Sequence, residues 1–62
     1  MIKVKKLILA QILGREAFQK GFDRIITNEC KNLLEGKPSR FNINIMKSFY
    51  LGWDTENLKV VI

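Results

Sequence analysis

Sixty-two residues allow one domain, and a chain this short buries only about 60% of the surface that its unfolded form exposes, so its core leans on a partner or on self-association. The sequence holds one cysteine, Cys30, and no histidine, which excludes an internal disulfide and a zinc site built from Cys and His; an unpaired thiol fits a reducing compartment, most simply a bacterial or phage-infected cytoplasm. Eleven Lys and Arg against six Asp and Glu give a formal charge of +5, which favours polyanions or acidic protein surfaces.

The first segment, 1–14, is basic and then apolar. Ile2 and Val4 alternate with Lys3 and Lys5 as in a half-buried strand, whereas Leu7 to Leu13 are good helix formers that are apolar almost all round; strand and helix both stay open. Such a stretch calls for cover on more than one side, in the core, against the terminal Leu58-Lys59-Val60-Val61-Ile62, or at an oligomer seam. As a targeting segment it falls short, because the apolar run is brief, Gln11 interrupts it and no small-residue cleavage site follows. A spanning helix needs about 20 apolar residues. Lys3, Lys5 and Lys6 beside the apolar run also suit an anionic membrane surface, but solubilising lysines flanking a strand or helix are the simpler account. Gly14 then ends one helix or is tolerated inside a longer one.

Residues 15–35 form the first clear helical pattern. Phe18, Phe22, Ile25, Ile26, Cys30, Leu33 and Leu34 recur at steps of three and four and so share one broad face, opposite Glu16, Lys20, Arg24, Thr27 and Lys31. Thr27-Asn28 offers a stop and restart within it. Gly36 suits a left-handed cap and Pro38 stands where proline commonly follows a helix end, which places a loop over 36–43. Asn42 or Asn44 then caps a second helix over 44–54, in which Ile45, Met46, Phe49, Tyr50 and Trp53 follow helical spacing. Residues 55–62 read as a short extended tail. The expected fold is mostly α, a helix-loop-helix hairpin with an apolar N-terminal segment, in which Phe18, Phe22, Ile25 and Ile26 meet Met46, Phe49, Tyr50 and Trp53.

Catalysis finds little footing in these residues. Histidine, the commonest general acid and base, is missing, Cys30 has no base of the kind that nucleophilic cysteines use, and the six acids are dispersed among cations. Isolated glycines make no phosphate loop. The expectation is a non-enzyme without cofactor, metal or small-molecule substrate. The basic residues carry more information: Lys37, Arg40 and Lys47 surround a loop that also holds Phe41, and cations beside an aromatic suit single-stranded RNA or a cleft in ribosomal RNA. Lys20 and Arg24 add to this candidate binding set, although Phe41 folded into the core is an equally natural fate. Gly21 and Gly52 each sit in a helical pattern where Ala would be better by about 1 kcal/mol, and each has an aromatic neighbour, Phe22 or Trp53. A helix crossing at these glycines, within a core that includes Phe18 and Phe49, is the expected reason.

At these positions the sequence resembles the ribosome modulation factor family and the small phage and bacterial proteins like it. Arg15-Glu16-Ala17-Phe18-Gln19-Lys20-Gly21-Phe22 resembles the family's first-helix pattern, and Phe49-Tyr50-Leu51-Gly52-Trp53 its second-helix ending; Gly36-Lys37-Pro38 lies where relatives carry a turn. The resemblance runs from about Arg15 to Glu56. It implies two helices and a non-catalytic protein that binds ribosomal RNA and silences ribosomes, with Lys20, Gly21, Phe22, Gly52 and Trp53 as the residues carried over. Two departures stand: the Cys-Pro-Tyr or Asn-Pro-Tyr turn is absent, since Lys31 follows Cys30 and Asn42 follows Phe41, and the apolar Leu7 to Leu13 replaces a very basic N-terminal stretch. The sequence thus supports a cytoplasmic translation regulator docking on the ribosome. Its alternative is a phage-type or accessory protein that inhibits or bridges a host protein through the apolar N-terminal stretch and tail, as a monomer or a homo-oligomer.

Overall fold

The computed structural model describes residues 2–37 and 39–61. Met1, Pro38 and Ile62 lie outside them, as do the side chains of Ile2, Lys3, Val60 and Val61, so the expected role of Pro38 after a helix end falls outside the described residues. Three helices follow in order: α1 (Ile2–Gln19), α2 (Asn28–Lys31) and α3 (Arg40–Val61). The two long helices form a hairpin joined by residues 20–39, which carry α2, and no strand occurs among the described residues. The molecule measures 37 × 20 × 14 Å. Its length follows from α3, whose 22 residues span about 33 Å at 1.5 Å per residue.

The N-terminal segment, open to strand or helix in the sequence, is helix. Ala10, Gly14 and Ala17 are buried at steps of four and three along one side of α1, and Gly52 faces them from α3. A Cβ on Gly14 would overlap the carbonyl oxygen of Phe49 and lie 3.1 Å from the Trp53 nitrogen; a Cβ on Gly52 would overlap the carbonyl oxygen of Gln11 and lie 3.2 Å from the Arg15 nitrogen. The two backbones therefore touch. Each glycine turns its Cα toward an opposing carbonyl, a contact worth roughly 0.5–1 kcal/mol. The expected crossing at Gly21 and Gly52 is thus half corrected: Gly52 is at the crossing, and its counterpart is Gly14, which lies within α1 rather than ending it.

Gly21 has a different task. It takes φ +81°, the Gly21 N–H donates to Phe18 O and the Phe22 N–H to Ala17 O, both at 2.9 Å, which is the Schellman arrangement that stops a helix. This ends α1 at Gln19 and corrects the continuous helix expected over 15–35. The chain restarts where Thr27-Asn28 permits it: Thr27 has extended backbone, and its hydroxyl accepts the Cys30 N–H at 3.3 Å. Gly36 is not left-handed, because α2 has already ended at Lys31.

The second long helix also exceeds its expected 44–54. Ser39, not Asn42 or Asn44, is the N-cap, its hydroxyl accepting the Asn42 N–H at 3.2 Å, so α3 begins at Arg40. At the other end helical structure continues through Val61, so the tail expected to be extended is α-helical. Leu51 to Lys59 contain no helix breaker beyond Gly52, and the ion pairs of Asp54 and Glu56 anchor this stretch to the rest of the chain.

Ala10, Ala17, Cys30, Ile45 and Phe49 are fully buried, with Leu7, Leu13, Ile26, Leu33, Leu34, Phe41, Tyr50 and Trp53 packed around them. The Phe18 and Trp53 rings meet edge-to-face at 5.0 Å. The Trp53 indole N–H donates to the Phe22 carbonyl at 3.1 Å, while the Phe22 side chain is 52% exposed. The expected core position of Phe22 is therefore corrected: once the Schellman turn takes it off the helix, its backbone is held and its ring is left outside. Ile25, also expected in the core, is exposed for the same reason.

Gly14→Ala and Gly52→Ala are each expected to lower stability by about 1–3 kcal/mol, although Ala favours the helix by about 1 kcal/mol, because the added methyl strikes backbone. Gly36→Ala meets open space and should leave stability nearly unchanged. Urea unfolding midpoints of the three variants check this, and a Gly14→Ala midpoint equal to wild type would contradict the close approach.

Candidate binding surfaces

The segment entering α3 is tied into a compact knot. The Asn42 side chain accepts the Glu35 N–H at 2.7 Å and donates to the carbonyls of Glu35 and Lys37 at 3.2 and 3.0 Å, while the Ser39 hydroxyl donates to the Glu35 carboxylate at 3.1 Å. A polar side chain that satisfies three backbone groups holds the turn in one conformation. Asn42 thus serves the loop rather than the cap. From this turn Lys37 and Arg40 are exposed, and Lys47 follows Arg40 by two helical turns on the same side of α3. That side lies opposite the buried Ile45, Phe49, Gly52 and Glu56. None of the three cations has an acidic partner among the described residues. Exposed Ile43, Leu51 and Leu58 lie along the same side.

The other candidates separate from this stripe. Phe41 is partly buried against the core instead of being displayed as a stacking platform. Lys20 is exposed at the end of α1, where a cation complements the helix dipole. Arg24 is engaged: its guanidinium forms a forked pair with both oxygens of Asp54 at 2.7 and 2.9 Å and lies 4.3 Å over the Tyr50 ring. It latches the connecting segment onto α3.

A second latch joins the long helices. Glu56, largely buried, accepts from Arg15 Nε at 2.9 Å and pairs with Lys59 at 3.5 Å. Neither latch is legible in sequence, since opposite charges 30 and 41 residues apart carry no mark of the register that joins them. The Arg24 hydrogen bonds hold the Asp54 carboxyl below its ordinary range, and those of Arg15, aided by Lys59, do the same for Glu56 against the opposing effect of desolvation.

A third surface is apolar. Ile8 and Ile12 lie opposite the Ala10-Gly14-Ala17 side of α1, flanked by Val4 and Leu9, and the four are 42–55% exposed. The expected cover for this stretch comes from α3 on one side only. Elsewhere, Cys30 is fully buried and burial pushes its thiol pKa up, so it is an inert core residue. Among the described residues no three metal-ligating side chains cluster, and no helix is long and apolar enough to cross a membrane. No protein-family model, curated protein or solved structure matches the chain.

Both latched carboxyls release their protons more readily in the folded chain than in the unfolded one, whose ordinary values are 3.8 for Asp54 and 4.5 for Glu56. Their contribution to stability is therefore complete above that range and is lost as pH falls through the lower folded values. Thermal unfolding followed from pH 7 down to about pH 2 should show a falling midpoint below about pH 4.5, and Asp54→Asn with Glu56→Gln should flatten that decline. An equally steep fall in the double variant would remove the latches from the account.

Proposed function

We propose that this chain is a small, basic, non-catalytic binding protein resembling ribosome modulation factor, and that it regulates translation by docking on ribosomal RNA. The observation that carries the reading is the cationic stripe of Lys37, Arg40 and Lys47. A fixed turn and the first two turns of α3 present these side chains, and among the described residues no carboxylate pairs with them. Such a stripe tracks phosphates, and with Phe41 turned into the core it reads shape and charge more than base identity. Lys20 supplies a further cation; Arg24 is committed to Asp54.

Ribosome co-sedimentation at about 50 and 200 mM salt tests this. Three phosphate contacts lower affinity roughly 20–40-fold over that interval, and the Lys37→Glu, Arg40→Glu, Lys47→Glu variant should lose binding at both salts. Affinity that ignores salt, or survives the triple substitution, excludes the stripe as the docking surface.

One observation favours a second reading, a phage-type accessory protein that engages a protein partner. The exposed Val4, Ile8, Leu9 and Ile12 form an aliphatic face that the hairpin leaves uncovered, and such faces mark protein interaction sites.

A further inference from the structure

We infer that the uncovered face of α1 is the contact surface of a symmetric dimer of this chain, in which two α1 helices pack antiparallel. The inference rests on the protein-interaction reading and names its occupant. Lys5, Leu9, Ile12 and Glu16 are exposed and follow one another at steps of four, three and four, the spacing of a coiled-coil seam. Lys5 and Glu16, at the two ends of the seam, have no ion-pair partner among the described residues.

A two-fold axis perpendicular to the helices, midway between Leu9 and Ile12, sets Leu9 against the partner's Ile12 and, in the same register, Lys5 against the partner's Glu16. Each contact occurs twice, as an isologous interface requires. A parallel pairing would instead set Lys5 against Lys5 and Glu16 against Glu16, so the charge pattern selects the antiparallel arrangement. Ile8 borders the seam and extends its apolar centre. A core of five buried apolar side chains among the described residues supplies the motive, because self-association is one of the few supports open to a 62-residue domain without a disulfide. Three helical turns bury less than the roughly 800 Å² per partner of a standard interface, so the dimer is weak and depends on concentration.

Sedimentation equilibrium of the full chain from about 5 μM to 1 mM reads the result on the scale of weak interfaces. The apparent mass should rise with concentration from 7.2 kDa toward twice that value. Ile12→Glu, at an exposed helical position, should keep the mass at that of the monomer with the helical circular dichroism unchanged. Lys5→Glu or Glu16→Lys alone should raise the dissociation constant about 5–30-fold, since two like-charge contacts replace two ion pairs, and the double exchange should restore it to within about twofold. A chain that stays monomeric throughout overturns the dimer. If Ile12→Glu then abolishes binding to a different protein, the protein-interaction reading survives without it. Dissociation by Ile12→Glu with no rescue by the double exchange overturns the antiparallel seam.

Discussion

The contact of two backbones at Gly14 and Gly52 is the constraint on which the rest of the molecule depends. Where side chains usually keep helices apart, here hydrogen atoms on the two glycines are all that separates α1 from α3. The gain is spread over many small dispersion contacts and two Cα–H···O contacts, and all of it vanishes steeply with separation. The close approach then fixes what can happen around it. Phe18 meets Trp53 edge-to-face, the Trp53 indole reaches the Phe22 carbonyl, and Arg15 reaches Glu56. Each of these needs the helices in one register, so the crossing and its surrounding polar contacts reinforce each other.

That geometry also decides how charge is distributed. Two of the six acids, Asp54 and Glu56, are spent within the fold on Arg15, Arg24 and Lys59. Acids used in latches are not available to neutralise the outside, and among the described residues none of the remaining acids pairs with the cations at the start of α3. Part of the basic character of the chain is thereby gathered on one side of α3 and the turn before it, while Lys5 and Lys20 lie elsewhere. Asn42 contributes by fixing the turn that carries Lys37, and a stripe held in place loses less entropy on binding than the same cations on a mobile loop.

The hairpin was legible in the sequence because its aromatic and aliphatic residues recur at helical spacing, and Gly52 beside Trp53 marked one side of the crossing. What failed was local. A glycine within a helical pattern announces that something requires it, but close approach and a left-handed cap make the same demand on residue type, so the crossing expected at Gly21 lies at Gly14, and the left-handed cap expected at Gly36 lies at Gly21. The aliphatic face of α1 was hidden for a related reason: residues apolar all round a helix imply full cover, and only the structure shows that α3 covers one side. Ser39 went unrecognised as a cap because the more conspicuous Asn42 and Asn44 followed it, and Asn42 turned out to serve the loop. The latches had no local signature at all.

The arrangement of the three surfaces bears on how they work together. On α1 the buried stripe Ala10-Gly14-Ala17 lies opposite Ile8 and Ile12, and on α3 the buried Ile45, Phe49 and Gly52 lie opposite Arg40 and Lys47. The aliphatic face and the cationic stripe therefore point away from each other across the thickness of the hairpin. Occupying one leaves the other free. A dimer closed through α1 would carry a cationic stripe on each outer side, related by the two-fold axis and held at a fixed separation. Two stripes engaging one polyanion gain from effective concentration only when its phosphates match that separation; otherwise each acts alone. Self-association through α1 would in this way impose a geometric condition on a surface that is otherwise indifferent to sequence. If both proposals hold, a weakly dimerising chain of this kind would distinguish folded from extended RNA by the spacing of its phosphates, without a single base-specific contact.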